Sequence, residues 1–420
     1  MNGRKNWSNF TVIVIIGLLL TGAVFVIVQI PSIHERLTWR LEVASTYLRS
    51  AVQPAGALPT ALPTAPANQT ETPSPTATPA QIATATATAA FSPTPTSSPT
   101  PIPGRVVLDP PEYEKQKPNN CGPATFGMYL RYYGWKGDQS AISEVIKPLS
   151  ADRNVNVEEL IYYARNHAGW LKSEYRVGGD ANLLRQLLAA GIPVVIEESS
   201  LVDQQFARAD DDFWDGHYLL ITGYDDNAQT FITQDAYRGP NLEVSYTEQD
   251  KRWQPFNRVY ILLFTPEQSS TVQTILGSDW DAKTNRQNAL DKAQAETQSD
   301  PKNAFSWFNL GSNLVYFESY TEAALAYDTA RQISLPQRMM RYQFGPFLAY
   351  FHSGRTEDLL ALTQYALKIT DNSEEAWLWQ GWALYRMGKK LEAVDAFNKA
   401  LTNHPGYQDA LYALKFAQSN

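Results

Sequence analysis

The chain has 420 residues and a net charge of −8, and its charged side chains are spread along it rather than gathered in blocks. The lack of a basic patch argues against nucleic-acid binding. The single cysteine, Cys121, excludes an intrachain disulfide and any zinc site built from two or more cysteines. No cofactor and no metal are predicted.

The first feature in chain order is an apolar run. Residues 10–28 carry no charge and are dominated by Val, Ile and Leu. As a helix rising about 1.5 Å per residue, this run would span roughly the hydrocarbon core of a bilayer. Arg4 and Lys5 precede it, which predicts a cytoplasmic N-terminus at residues 1–9. We expect a single-pass anchor in the cell membrane over residues 10–30, with the C-terminal domains extracytoplasmic; a cleaved signal peptide is the alternative.

The composition changes after the anchor. A juxtamembrane segment at residues 31–51 is followed by residues 52–104, which consist almost entirely of Pro, Thr, Ala and Ser. Such a composition cannot bury enough apolar surface to fold, and it favours extended polyproline-like conformations. The sequence therefore predicts a disordered linker that carries the rest of the chain away from the membrane.

Folded character begins near residue 105 and continues to residue 266. Turn residues and hydrophobic periodicity divide this region into helices followed by strands, an order typical of an α+β domain. The predicted helices are 125–133, 157–167 and 181–190, and the predicted strands are 194–197, 217–223, 230–234 and 259–264.

Residues 281–420 change to helical periodicity with an internal repeat. Gly311 and Gly381 lie 70 positions apart, close to two units of the roughly 34-residue tetratricopeptide repeat. The matching positions are Trp307, Leu310, Gly311, Ala323, Tyr327 and Ala330 in one unit and Trp377, Gly381, Ala393, Phe397, Ala400 and Pro405 in the other. We expect an all-α solenoid that binds a protein or peptide partner; a generic helical bundle is the alternative.

Cys121 is the candidate nucleophile, because it directly precedes a predicted helix whose unpaired N–H groups and dipole stabilise a thiolate. His217 is the leading base, since it opens an apolar strand. Asp235 ends the next strand, so antiparallel pairing would bring it to His217, where it would accept a hydrogen bond from Nδ1 and fix the tautomer. Gln116 and the backbone N–H of Cys121 are candidate donors to an oxyanion.

Each candidate has a simpler interpretation. Cys121 could be a small buried apolar residue, His217 a core histidine and Asp235 the start of a turn. His167 is a competing base, but its position at a helix end favours a capping or dipole role. The acidic group made of Asp210, Asp211, Asp212 and Asp215 lacks the spacing of a calcium loop, which favours a solvated acidic loop near the cleft.

The ordered set resembles the papain-like cysteine peptidases of the C39 type, which include enzymes that process bacteriocins after double-glycine leaders. The resemblance covers about residues 107–264. It rests on Asp235, on Gly216-His217-Tyr218, and on Gln116-Lys117-Pro118-Asn119-Asn120-Cys121-Gly122-Pro123-Ala124.

The resemblance implies a papain-like fold with Cys121 as nucleophile, His217 as general base and acid, Asp235 as its orienting group and Gln116 in the oxyanion hole. In the processing enzymes the glutamine commonly stands one position earlier, where this chain has Lys115. No transporter segments follow, which argues against leader-peptide export. The expected function is hydrolysis of a peptide or related amide; a non-catalytic binding scaffold and a thioester acyl transferase are the alternatives.

Overall fold

The computed structural model describes residues 102–147, 149–201 and 212–419, together with isolated positions between 14 and 59. The predicted N-terminus, and nearly all of the predicted anchor, juxtamembrane segment and linker, lie outside the described residues. Among the residues that are described, no helix is both long and apolar enough to cross a membrane.

The N-terminal domain is built on a seven-stranded antiparallel sheet. Its strands follow the order β2-β7-β3-β4-β5-β6, and β1 also pairs with β4. The strands are β1 Arg105–Val107, β2 Lys172–Arg176, β3 Val194–Leu201, β4 Trp214–Asp225, β5 Thr230–Asp235, β6 Gly239–Ser245 and β7 Tyr260–Phe264. β4 is the longest strand and pairs with three others, so it holds the centre of the domain.

Helices cover the sheet and then continue as a separate helical region. Those of the sheet domain are α1 Cys121–Tyr132, α2 Gln139–Ile146, α3 Val157–His167, α4 Ala181–Ala189, α5 Tyr246–Trp253 and α6 Ser269–Leu276. The helical region consists of α7 Ala282–Ser299, α8 Ala304–Tyr316, α9 Tyr320–Ile333, α10 Met339–Tyr342, α11 Gly345–His352, α12 Thr356–Ile369, α13 Glu374–Arg386, α14 Lys390–Asn403 and α15 Gln408–Ser419.

The sheet is buried on both faces, as the alternation of side chains along its strands requires. Leu219 and Ile221 of β4 join an apolar cluster with Leu187 of α4. Leu220, which points the other way, belongs to the cluster that contains Phe126 of α1. The helices on the second face include the one that begins at Cys121.

The antiparallel sheet with helices confirms the predicted α+β composition, but the order of helices before strands is wrong. β2 lies between α3 and α4, and it was missed because its sequence is mostly polar. Its pairing with β7 is what makes it a strand. β6 begins with Gly239 and Pro240 and is similarly poor in strand signals.

The helical region shows the close packing that its glycines predict. A Cβ atom at Gly311 would lie 2.8 Å from the ring of Tyr327, and one at Gly381 would lie 2.4 Å from the ring of Phe397. Since real Cβ contacts are not this short, only glycine lets the paired helices approach so closely. The tetratricopeptide-like helical architecture is confirmed.

The two regions share one apolar core, which runs from Phe126 of α1 to Phe308 of α8. Polar contacts continue this interface. The side chain of Asn285 accepts from the backbone N–H of Val177 at 3.0 Å and donates to its carbonyl at 2.9 Å. The helical region is therefore packed onto the sheet domain.

Candidate active site

Cys121 is the first residue of α1, and its thiol is free and half-buried. Asn120 precedes it as the N-cap. The first N–H groups of a helix have no intrahelical partner, and Pro123 has no N–H at all. The first turn therefore presents the N–H groups of Cys121 and Gly122, which stabilise negative charge at the thiol.

Two contacts fix the start of α1 against β4. The Thr125 hydroxyl donates to the carbonyl of Tyr218 at 3.1 Å. A Cβ atom at Gly122 would lie 3.3 Å from both the Tyr218 ring and the Val155 side chain, so the glycine permits this approach. Because Tyr218 follows His217 directly, the same contacts bring the thiol to the histidine.

The structure brings His217 and Asp235 together in the buried interior, with His217 Nε2 2.8 Å from Asp235 Oδ1. Adjacent pairing of β4 and β5 achieves this, as the sequence predicted. One detail of the prediction is wrong: the nitrogen that faces Asp235 is Nε2 rather than Nδ1. Nδ1 is the ring nitrogen that does not contact Asp235, and Cys121 is close enough to His217 to raise the pKa of its ring.

Asp235 also organises the turn that follows it. Its Oδ1 atom accepts from the backbone N–H of Tyr237 at 2.8 Å and of Arg238 at 3.0 Å. The residue therefore begins a turn, as its simpler interpretation expected, and the turn holds the carboxylate where it contacts His217.

The electrostatics follow from this geometry. Burial lowers the pKa of His217, but hydrogen bonds and charge interactions with Asp235 and Cys121 outweigh burial and raise that pKa to about 10. Burial raises the pKa of Asp235, whereas His217 and the N–H groups of the turn lower it to about 2. At neutral pH the ring is protonated and the carboxylate is ionised.

Gln116 lies beside the end of β5, where its backbone N–H donates to the carbonyl of Ala236 at 2.8 Å. Its side-chain Oε1 is buried and has no hydrogen-bond partner among the described residues. The fold thus brings Gln116 to the strand end that carries Asp235, and its role as an oxyanion donor stays a prediction.

Sequence reasoning missed two buried ionisable groups near the thiol. Lys147 donates from its ammonium group to the carbonyl of Asn119, and burial lowers its pKa while Asp152 and Cys121 raise it. Glu197 is buried next to Tyr218, and burial followed by repulsion from Cys121 raises its pKa. Neither residue belongs to a recognisable motif, and only the fold brings them to the site.

The competing candidates lie elsewhere. His167 is exposed at the end of α3, where its ring stacks on Tyr163 at 4.8 Å. Asp212 Oδ2 accepts from the backbone N–H of Gln337 at 2.6 Å, and Asp215 pairs with Arg341 at 3.5 Å. These two carboxylates therefore contact the helical region and do not form a freely solvated loop; Asp210 and Asp211 lie outside the described residues.

A set of metal-ligating side chains joins the two regions. Ligand atoms of Asp152, Glu374 and His404 lie within 4.8 Å of one another. His404 Nδ1 is 3.1 Å from Glu374 Oε1. Carboxylate and imidazole donors of this kind suit a divalent transition metal, and this set is the one among the described residues that could hold an ion.

The comparisons with known proteins agree with this division. Residues 108–261 match the model described as the Peptidase_C39 like family, and residues 374–407 match the model for the tetratricopeptide repeat. The chain therefore contains a C39-like peptidase domain followed by a tetratricopeptide repeat. A search of curated proteins found no match.

Solved structures that resemble parts of the chain include both kinds of domain. A putative C39-like peptidase from Bacillus anthracis has 16% identity over 38% of this chain and 98% of its own, with a TM-score of 0.31. A double glycine motif protease from an AMS/PCAT transporter, in complex with the leader peptide, has 15% identity over 38% and 94%, with a TM-score of 0.28. YrrB, a TPR protein with an unusual peptide-binding site, has 20% identity over 36% and 74%, with a TM-score of 0.29.

Proposed function

We propose that this chain is a membrane-anchored, extracytoplasmic cysteine peptidase, and that its repeat region binds a protein or peptide partner. The observation that carries the catalytic proposal is the arrangement around His217. Its Nε2 atom contacts Asp235 at 2.8 Å, and the only thiol of the chain is close enough to raise the pKa of the ring. A nucleophile, a base and an orienting group in this arrangement support acyl transfer.

The reaction begins when Cys121 Sγ attacks the carbonyl carbon of a peptide or related amide. The resulting oxyanion takes hydrogen bonds from the backbone N–H of Cys121 and the side-chain amide of Gln116. Protonated His217 gives its proton to the leaving amine as the C–N bond breaks, which leaves a thioester on Cys121. His217 then takes a proton from water, and the hydroxide attacks the thioester to release the acid and the Cys121 thiolate, with His217 protonated again.

Alkylation of the thiol tests this proposal directly, because Cys121 is the only cysteine and every reaction with iodoacetamide reports on it. At mildly acidic pH the thiol in the full chain should react faster than the thiol of His217→Ala, since a protonated His217 stabilises the thiolate. His217→Ala should remove this reactivity at low pH. His167→Ala is the matched control, since its histidine is exposed and distant, and it should behave like the wild type.

Hydrolysis is then measured with a mixture of unstructured peptides. The wild type should release new amino termini, and Cys121→Ala should release none. If the wild type and His217→Ala are alkylated at the same rate as an ordinary thiol, and no peptide is cleaved, the result would favour a binding scaffold. A product in which an added amine replaces water would instead identify an acyl transferase.

A further inference from the structure

Part of the Pro-rich linker lies against the repeat helices, although these helices are far from the linker in the sequence. Leu58 is only 7% exposed and belongs to the apolar core that contains Tyr350 and Tyr365. Leu58 is flanked by Gly56 and Pro59, both of which also contact repeat residues. A linker without a binding site would leave its leucine exposed to solvent. The burial of the Leu58 side chain therefore indicates a specific binding site on the repeats.

Hydrogen bonds from the repeat region fix the linker backbone. Arg331 donates to the carbonyl of Pro59 through Nε at 2.8 Å and also through Nη2. The hydroxyl of Tyr365 donates to the carbonyl of Gly56 at 3.0 Å, and Gln337 Nε2 donates to the same carbonyl at 3.4 Å. A proline-rich strand has fewer N–H groups than carbonyls, so a row of donors is the complementary surface.

The main donor is held in place by the repeats. Arg331 Nη1 donates to the Tyr350 hydroxyl at 2.6 Å, and that hydroxyl donates to Asp328 at 2.8 Å. Arg331 is only 4% exposed. These contacts orient the Nε–Nη2 edge of its guanidinium towards the linker. A buried guanidinium edge needs an acceptor, and here the Pro59 carbonyl is that acceptor.

We infer that Arg331, Gln337 and Tyr365 form a groove that binds Gly56, Leu58 and Pro59 of the same chain as an intramolecular peptide ligand. The sequence offers a second copy of the motif, because residues 57–60 and 61–64 both read Ala-Leu-Pro-Thr. The structure assigns the groove to the first copy. The chemical class of ligand is a peptide with a buried leucine and an accepting carbonyl on the following proline.

This groove adjoins the start of β4. The backbone N–H of Gln337 donates to Asp212 at 2.6 Å, and Asp212 precedes β4, which carries His217. Docking therefore ties the linker next to the strand of the catalytic histidine. The proposed anchor lies N-terminal to Pro59. Docking of Pro59 would therefore attach the anchor to the repeats rather than to the start of the peptidase domain.

Amide hydrogen exchange in the full chain tests the inference without any substitution. In the two Ala-Leu-Pro-Thr copies the leucine and threonine amides follow the same residues, so their intrinsic exchange rates match and each is the control for the other. The amides of Leu58 and Thr60 should exchange at least about tenfold more slowly than those of Leu62 and Thr64. Equal exchange, or protection of the second copy alone, would overturn the assignment.

Thiol accessibility gives a second measurement. In a Cys121→Ala background, Leu58→Cys should react with a maleimide about tenfold more slowly than Leu62→Cys, because the inference places Leu58 in the groove and Leu58 is buried. Adding Tyr365→Phe and Arg331→Ala should bring the rate of the Leu58→Cys variant up to that of Leu62→Cys. The difference should not change on dilution; loss of the protection on dilution would show binding between two copies and contradict an intramolecular ligand.

Discussion

Arg338 of the repeat region donates a hydrogen bond from Nη1 to the backbone carbonyl of Trp214 at 2.8 Å, and both residues are buried. Trp214 is the first residue of β4, and its ring stacks on Phe256 at 5.7 Å. The strand that carries His217 is therefore supported at its start by a side chain from the other region. The repeats act as part of the structural support of the candidate site.

Arg338→Ala should destabilise the chain, because it leaves the buried carbonyl of Trp214 without this donor. We expect the free energy of unfolding to fall by about 1–3 kcal/mol, measured by urea denaturation. Lys389→Ala is the control, since Lys389 is exposed and pairs with Glu392 only at 3.8 Å. Its effect should stay within about 0.5 kcal/mol. Equal stability of the two variants would contradict a supporting role for Arg338.

Asp235→Asn should lower the pKa of His217 from about 10 towards the ordinary 6.5. Asparagine retains Oδ1 for the turn but loses the charge that favours the imidazolium. In the wild type the raised pKa means that this pair stabilises the fold fully below about pH 6.5, and that the contribution is lost as the pH rises through about 10.

The measurement is an NMR titration of the imidazole of His217. Asp226→Asn is the matched control, because Asp226 lies at the far end of β4 and pairs with Arg185. It should leave the titration of His217 unchanged. An unaltered His217 pKa in Asp235→Asn would show that the charge of Asp235 is not what holds the ring protonated.

Glu159→Gln should make stability less dependent on pH. Burial is the largest influence on the pKa of Glu159 and raises it. The hydrogen bond from the Asn156 N–H lowers this pKa, repulsion from Glu375 and Asp152 raises it, and the net result is a pKa of about 8. The pKa of Glu159 in the folded protein therefore exceeds its unfolded value of about 4.5. Such a group makes the folded protein less stable as the pH rises between the two pKa values.

The wild type should therefore be less stable at pH 8 than at pH 5 in urea denaturation with a chelator present. Glutamine is neutral and can still accept from the N–H of Asn156. The loss of stability between pH 5 and pH 8 should therefore be smaller in Glu159→Gln than in the wild type, by more than about 1 kcal/mol. Glu144→Gln, on the exposed side of α2, should follow the wild type. The same slope in Glu159→Gln and the wild type would refute this origin of the pH dependence.

Gly381→Ala should destabilise the repeat region by about 1–3 kcal/mol, because the new methyl group would lie 2.4 Å from the ring of Phe397. The melting temperature, followed by circular dichroism, should fall. Gly169→Ala is the control, since a Cβ atom at Gly169 has nothing within 4 Å. An unchanged melting temperature in Gly381→Ala would mean that the two helices can separate at no cost.

Local signals were sufficient for much of the fold. The predicted helix at residues 157–167 has the observed bounds of α3, and the strand predicted at 230–234 is one residue shorter than β5. The apolar runs and turn residues that define these elements act over a few positions, so they can be read from the chain. β2 and β6 lack such runs and become strands only by pairing.

The sequence by itself determined the residue types of the candidate site and their order, since a lone thiol before a helix and a histidine and aspartate on successive strands are local features. Only the tertiary structure decided that Nε2 faces Asp235, that Lys147 and Glu197 are buried near the thiol, and that Asp215 pairs with Arg341 across 126 positions. The physical reason is that ring orientation, desolvation and pairing depend on groups that meet only when distant segments pack together.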